Sequence, residues 1–273
     1  MSAHERAAVP TPASPYALDN SSPEAAARFP ALARAFDAGT QRHLDAIRVA
    51  PGWRCLEVGG GGGSIARWLA DRVGPTGHVL VTDIDARHLR FGNIPEVDVR
   101  VHDIAADPLP PASFDLVHAR LVLLHVRDRE AALANMIAAL KPGGWLVDEE
   151  FDSSVFPDPA RYPGETLLRT HIGLTRTLDE RGVDRNFGRR LFGRLRALGL
   201  EHVAAEGRTF MWPAGSAGPA MMRTNYEQLR SHMISTGYIT QQEFDRDIAA
   251  LDDPDFLMPS PILWAVSGQI PIS

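Results

Sequence analysis

Leu56-Glu57-Val58-Gly59-Gly60-Gly61-Gly62-Gly63-Ser64, running on into Ile65-Ala66-Arg67-Trp68-Leu69-Ala70, is the stretch that decides the fold. An apolar strand enters five consecutive glycines and leaves them as an amphipathic helix. Glycine carries no Cβ and tolerates φ > 0, so a backbone built from it passes close to a ligand. The helix behind it turns unpaired N–H groups and a positive dipole end toward that ligand. The dinucleotide pattern G-x-G-x-x-G fails in every register, because a start at Gly59 ends on Ser64. The phosphate-loop pattern fails too, since no Gly-Lys-Ser/Thr follows. The spacing that fits is acid-x-Gly-x-Gly-x-Gly, on Glu57, Gly59, Gly61 and Gly63. A flexible linker would not be flanked by an apolar strand and an amphipathic helix.

Outward from this turn the chain alternates strands and helices. Residues 78–83 read as a second strand ending in Asp83, and 99–104 as a third carrying Asp103 near its end. Residues 114–120 read as a fourth, and Lys141-Pro142-Gly143-Gly144 as the turn into a fifth that ends Glu149-Glu150-Phe151-Asp152. Leu133, Met136, Ile137 and Leu140 have the spacing of a crossover helix. Alternation of this kind predicts a parallel sheet with helices on both faces and right-handed crossovers. The ligand belongs beyond the carboxyl ends of the strands, where the glycines, Asp83, Asp103 and Arg120 fall. Phe29, Leu32, Phe36, Leu44 and Ile47 predict one or two helices upstream of the turn. Past Asp152, a Pro-broken loop around 156–164 precedes helices near 165–181 and 188–198, and strands at 200–206 and 262–268. Between those strands, about 213–259 holds two more helices, one with Met221, Met222, Tyr226 and Leu229, the other near 241–251.

The order acid-x-Gly-x-Gly-x-Gly, Asp83, Asp103, fourth strand and Lys-Pro-Gly-Gly, over roughly residues 50–152, resembles the class I S-adenosylmethionine-dependent methyltransferases. The resemblance implies a doubly wound, mostly parallel, seven-stranded Rossmann-like α/β sheet, with N-terminal helices and a helical lid inserted before the last strand. It divides the chain into a flexible tail (1–20), a helical cap (21–50), a cofactor-binding core (51–152) and a remainder (153–273) carrying the lid. It implies S-adenosyl-L-methionine as cofactor and S-adenosyl-L-homocysteine as product. Glu57 and Gly59 would lie near the methionine moiety, with Gly61, Gly63 and Ser64 completing the turn; Asp83 and Ile84 at the ribose; Asp103 and Ile104 at the adenine. Arg120 and Arg28 each have two readings, a cofactor carboxylate or a salt bridge that holds structure.

The 273 residues carry a formal net charge of −6, which argues against a nucleic-acid partner, for which a basic footprint is expected. One basic cluster (Arg185, Arg189, Arg190, Arg194, Arg196) reads as the solvated face of a helix whose apolar stripe is Leu191, Phe192, Leu195 and Leu198. No apolar run approaches the roughly eighteen residues of a membrane span. The first residues lack the apolar core of a secretory signal. Cys55 is the single cysteine, so neither a disulfide framework nor a cysteine metal cluster is expected, and the protein reads as cytoplasmic. Homodimerisation is left open.

Methyl transfer from a sulfonium is an in-line displacement, so holding the acceptor collinear in a dry pocket supplies most of the catalysis. A base is needed where the acceptor must lose a proton. The candidates are His118, His125, His171, His232, Glu149, Glu150, Asp152 and Tyr226. Of these His125, Glu149 and Asp152 are carried forward as catalytic: the two acids end the fifth strand, and enzymes resembling the quinone-biosynthesis methyltransferases carry a histidine where His125 stands. The Asn/Asp-Pro-Pro-Tyr/Phe signature of adenine and glutamine N-methyltransferases is replaced here by His118-Ala119-Arg120-Leu121. No metal set stands out. The expectation is methylation of O, N or C on a small molecule of secondary metabolism. The alternatives are a non-methylating, cyclase-like protein on the same fold and, less favoured by the charge, a protein or RNA methyltransferase.

Overall fold

A computed structural model describes residues 17–154 and 168–272. The stretch that opens the sequence reading forms its centre: β1 (Arg54–Val58) runs through the glycines into α2 (Ser64–Val73). The other long strands are β2 (His78–Asp83), β3 (Val97–Val101), β4 (Phe114–Arg120), β5 (Leu140–Asp152), β6 (Glu201–Arg208) and β9 (Ile262–Gln269). They make one seven-stranded sheet in the order β3-β2-β1-β4-β5-β9-β6. The first five strands are parallel, and β9 enters antiparallel between β5 and β6. The chain winds outward from β1 to β2 and β3, then returns to β4 and β5 on the other side. This reversal opens a crevice beyond the carboxyl ends of β1 and β4, where such sheets take their ligands.

The period of two along each strand divides the core. Cys55, Val79, Val81, Leu116 and Val147 face α2 and pack with Ile65, Leu69 and Val73. Leu56, Val58, Leu80, Val117 and Leu146 face the other way, onto Leu133 and Met136 of α3 (Arg129–Ala139) and Leu191 and Leu195 of α5 (Gly188–Ala197). With both faces covered, the central strands are apolar nearly throughout. A third cluster joins α1 (Pro23–Ala46) to α4 (Arg169–Glu180), α6 (Ala217–Ser235) and α7 (Gln241–Ala250), through Phe36, Leu174, Met221, Met222, Tyr226, Leu229 and Phe244. Burying each such large apolar side chain is worth about 1.5–3 kcal/mol. The Met and aromatic stripe of α6 is therefore packing.

Several expectations are corrected. The third strand starts at Val97 and ends at Val101, so Asp103 and Ile104 lie in the turn beyond it. There the Asp103 carboxylate accepts from the Ala105 N–H at 2.9 Å, the local bond that makes Asp a turn residue. Leu140 opens β5 and does not belong to α3. A two-stranded ribbon, β7 (Met211–Pro213) with β8 (Leu257–Pro259), frames the inserted helices and carries no sequence signal of its own length. Phe192 and Leu198 are exposed, leaving Leu191 and Leu195 as the buried stripe of α5. The tail does not extend to residue 20: Ala17, Leu18 and Asn20 are buried. Four successive carbonyls, of Ala17, Leu18, Asp19 and Asn20, accept from Arg181, Arg28, Gln228 and His88 respectively. The loop expected around 156–164 lies outside the described residues.

Candidate functional site

The glycine turn is built as its composition demands. Gly59, Gly61 and Gly63 stand at φ +65°, +53° and +77°, the left-handed region that side chains avoid. Space excludes side chains as well: a Cβ on Gly59 would meet Val122 Cγ2 at 2.3 Å, and one on Gly61 would meet the Phe29 ring at 2.8 Å. The turn is tied to β2 by bonds from Gly60 N–H to the Thr82 carbonyl at 3.0 Å and from Gly61 N–H to the Asp83 carboxylate at 3.0 Å. The other oxygen of Asp83 accepts from the Asp85 N–H at 2.9 Å. Burial pushes the Asp83 carboxyl up, and these two N–H bonds oppose the rise. Ile84, next in the chain, is 43% exposed, an apolar side chain at the mouth of the crevice. Asp103 is half-buried nearby in sequence order, while Ile104 turns into the core, so its side chain is packing. His102 is buried with neither ring nitrogen hydrogen-bonded among the described residues. It is a polar group at this end of the sheet that the sequence reading passed over.

The segment after β4 forms the opposite wall. Leu121 stands at φ +58°, an uncommon conformation for a branched-chain-sized residue and a form of strain often found at functional sites. Glu150, buried at the end of β5, accepts from the N–H groups of Val122, Leu123 and Leu124. His125 follows, half-buried, its N–H bonded to the Val122 carbonyl. Burial, helped by the charges of Arg28 and Arg129, pulls the His125 imidazole down to about 3, so it is neutral across ordinary pH.

Glu57, Arg120 and Glu149 come together in a different place. With His118 they line one face of β1, β4 and β5 beneath α1. His118 Nδ1 lies 2.6 Å from Glu57, and Nε2 lies 3.7 Å from Glu149. Glu149 also accepts from Thr40 of α1 and from Arg208 of β6. Arg120 donates to Thr40 and to Asp37, both at 2.9 Å. Arg120 thus makes the salt bridge of its second reading, and Glu149 is fully buried with its carboxyl engaged in this layer. Burial opposes charge on His118, but Glu57 and Glu149 outweigh it and raise the imidazole to about 9. Burial likewise works against ionised Glu149, and His118 and Arg120 hold it below the usual range nonetheless. Asp152 is engaged in the same way: it is buried and bonded to Arg189 at 2.8 Å and to the Ser154 N–H at 3.0 Å.

Arg28 is buried on α1 and bonds to neutral oxygens, Gln228 Oε1 and Asn20 Oδ1, both at 2.7 Å. It has no ion pair among the described residues, so its charge is available to an anionic ligand. His171 pairs with the Tyr226 hydroxyl inside the helical layer, and His232 pairs with Glu180 near the surface. The described residues contain no group of acids, histidines and cysteine able to hold a metal, and no helix long and apolar enough to cross a membrane. Arg185, Arg189, Arg190 and Arg194 each pair with a carboxylate of this chain, which accounts for four of the five arginines of the basic cluster.

Residues 56–146, which hold the glycine turn and the acid bonded to it, match the family model described as methyltransferase domain. Among relatives, the chain is 35% identical over 143 residues to the ubiquinone/menaquinone biosynthesis C-methyltransferase UbiE of Bordetella avium (strain 197N), covering 48% of this chain and 56% of that protein. It is 36% identical over 124 residues to the UbiE of Vibrio vulnificus (strain YJ016), covering 42% and 47%. The chain therefore spans about half the length of these relatives. Among solved structures, the [4+2]-cyclase SpnF superposes with a TM-score of 0.51 at 22% identity, covering 85% of this chain and 81% of that one. The YcgJ protein of Bacillus subtilis gives 0.51 at 14%, covering 85% and 97%. At these identities the likeness is one of fold.

Proposed function

We propose that the protein transfers a methyl group from S-adenosylmethionine to O, N or C of a small-molecule acceptor. The observation that carries the reading is Asp83, a buried carboxylate fixed by the Gly61 N–H at the carboxyl end of β2, in a domain matched to methyltransferases. Each oxygen of Asp83 receives one N–H and keeps a lone pair for the hydroxyls of a ribose. Gly59, Gly61, Gly63 and Ser64 supply a turn without Cβ atoms along which the methionine chain would run. Ile84 offers apolar cover, and Asp103 an acceptor, for the adenine end. Arg28, a buried cation without an ion pair among the described residues, suits a carboxylate.

When bound, the cofactor supplies an electrophilic methyl group on a sulfonium. The chain's own part is to exclude water and align the acceptor, which intramolecular reactions show to be worth several kcal/mol of barrier. With Glu149 and Asp152 engaged in ion pairs, His125 is the remaining member of the catalytic set. An imidazole held near 3 is a weak base, which favours alignment over proton abstraction as its contribution. The UbiE relatives are C-methyltransferases by name, which supports carbon as one of the three acceptor atoms. The test is incubation with methyl-deuterated S-adenosylmethionine and an extract of small metabolites, followed by untargeted mass spectrometry. A metabolite gaining the label identifies the acceptor. Cofactor bound without any labelled product would instead support a non-methylating, cyclase-like role.

A further inference from the structure

We infer that Glu150 is a positioning residue for this reaction, setting the wall opposite Gly59 through the backbone N–H groups of Val122, Leu123 and Leu124. The inference rests on the methyl-transfer reading above. One buried carboxyl group gathers three successive donors: Oε1 accepts from Val122 at 2.9 Å and from Leu123 at 2.5 Å, and Oε2 from Leu124 at 3.3 Å. The segment needs an anchor, because it begins with Leu121 in the left-handed region. Its carbonyl side is held too: Arg129 donates to the Leu124 oxygen at 2.9 Å, and the Asp184 N–H to the same oxygen at 2.8 Å.

Between these anchors Val122 meets the first glycine of the cofactor turn so closely that Gly59 has no room for a Cβ. His125 closes the segment onto the Val122 carbonyl. Displacing residues 122–124 would therefore move both the contact with Gly59 and the approach of His125.

What Glu150 supplies is acceptor oxygen. The next side chain on its face of β5 is Asp148, buried, with neither carboxyl oxygen hydrogen-bonded among the described residues. Burial pushes Asp148 up to about 8, and burial together with Asp148 pushes Glu150 well up. His118 acts on Asp148 and Arg129 faces Glu150, but neither cation overcomes the burial. A protonated Glu150 keeps an unprotonated oxygen that accepts, and an amide in the same place would offer one too.

The test compares the full-length protein with Glu150→Leu, Glu150→Gln and Glu150→Asp. The readouts are calorimetric titration with S-adenosylhomocysteine, thermal unfolding, and hydrogen exchange at the amides of 122–124. Glu150→Leu should lose about tenfold or more in affinity, the scale on which small displacements near a reacting centre act. Glu150→Gln should return close to the wild type in both affinity and exchange protection. Glu150→Asp, whose carboxyl is withdrawn by one methylene, should lose affinity, and it serves as the comparison if the leucine variant does not fold. A lowered melting temperature with unchanged affinity in the folded variants overturns the inference. So does a glutamine variant as weak as the leucine one. Wild-type protein that fails to bind S-adenosylhomocysteine would overturn the methyl-transfer reading itself, an outcome visible before any variant is made.

Discussion

Glu149 and Glu150 are neighbours on β5, equally buried, and end in opposite chemical states. Glu149 points under α1 into a layer with His118, Thr40, Arg120 and Arg208, and its carboxyl is held below the usual range against its burial. Glu150 points to the other face, meets backbone N–H groups and Asp148, and is pushed well above it. The strand's alternation decides which neighbours each acid receives, and those neighbours decide whether it is an ion or an acid. Residue type and burial are shared, so neither predicts the role. On one face the acid clamps a helix over the sheet by charge. On the other it clamps a loop by accepting hydrogen bonds.

The largest expected effect breaks the charged face. Glu149→Leu would leave Arg208 and protonated His118 buried without their shared carboxylate. Removing one member of a buried pair costs about 3–5 kcal/mol. Urea unfolding monitored by far-UV circular dichroism should show a loss of that order; a loss below about 1 kcal/mol would mean water reaches this layer and the comparison of faces fails.

Next in size is the proton on His118, raised from 6.5 to about 9. Because the folded chain holds this proton more tightly than the unfolded chain, its contribution is fully present below about pH 6.5. It is lost as the pH rises through about 9. Unfolding free energies measured across that window should fall for the wild type and fall less for His118→Gln. Parallel curves for the two proteins would place the proton elsewhere in the layer. Asp148, raised to about 8, loses its contribution in the same direction, so both proteins are compared in an Asp148→Asn background, which removes the acid that His118 itself acts on.

Much of the cofactor end was legible in the sequence, because glycine turns and strand-end acids act locally. Gly59, Gly61, Gly63 and Asp83 needed only their own spacing to be read, and β2 has the bounds its pattern implied. Glu149, Asp152 and Arg120 were legible as residues at strand ends, not as to what they touch. Their partners lie 109, 37 and 83 positions away, on α1 and α5. Whether an acid at the end of β5 faces a pocket or an arginine depends on how α1 and α5 dock, and no spacing rule encodes that. The end of the third strand was misread for a simpler reason: the strand pattern was extended to residue 104, whereas β3 ends at Val101. The anchoring of residues 17–20 was hidden because its bonds go through backbone carbonyls, which carry no residue signature.

Asp83 sharpens the comparison at the smallest scale. Like Glu150 it is buried, raised, and bonded to backbone N–H groups, here of Gly61 and Asp85. Unlike Glu150, it stands beside the glycine turn at the crevice, where its remaining lone pairs can meet a ligand instead of another acid. Asp83→Ala should weaken S-adenosylhomocysteine binding by about 1–3 kcal/mol, the scale for leaving buried hydroxyls without acceptors. The same difference fixes the sign of the pH response. Ionised Asp83 is the better acceptor for two hydroxyls, so affinity should fall as the pH drops through its carboxyl, and the raised position moves that fall above the ordinary value of 3.8. Titration calorimetry of wild type and Asp83→Ala at several acidic pH values checks both effects at once. Equal affinity for the two proteins would assign Asp83 to the turn alone, holding Gly61 as Glu150 holds Val122, and the ribose hydroxyls would then need another partner.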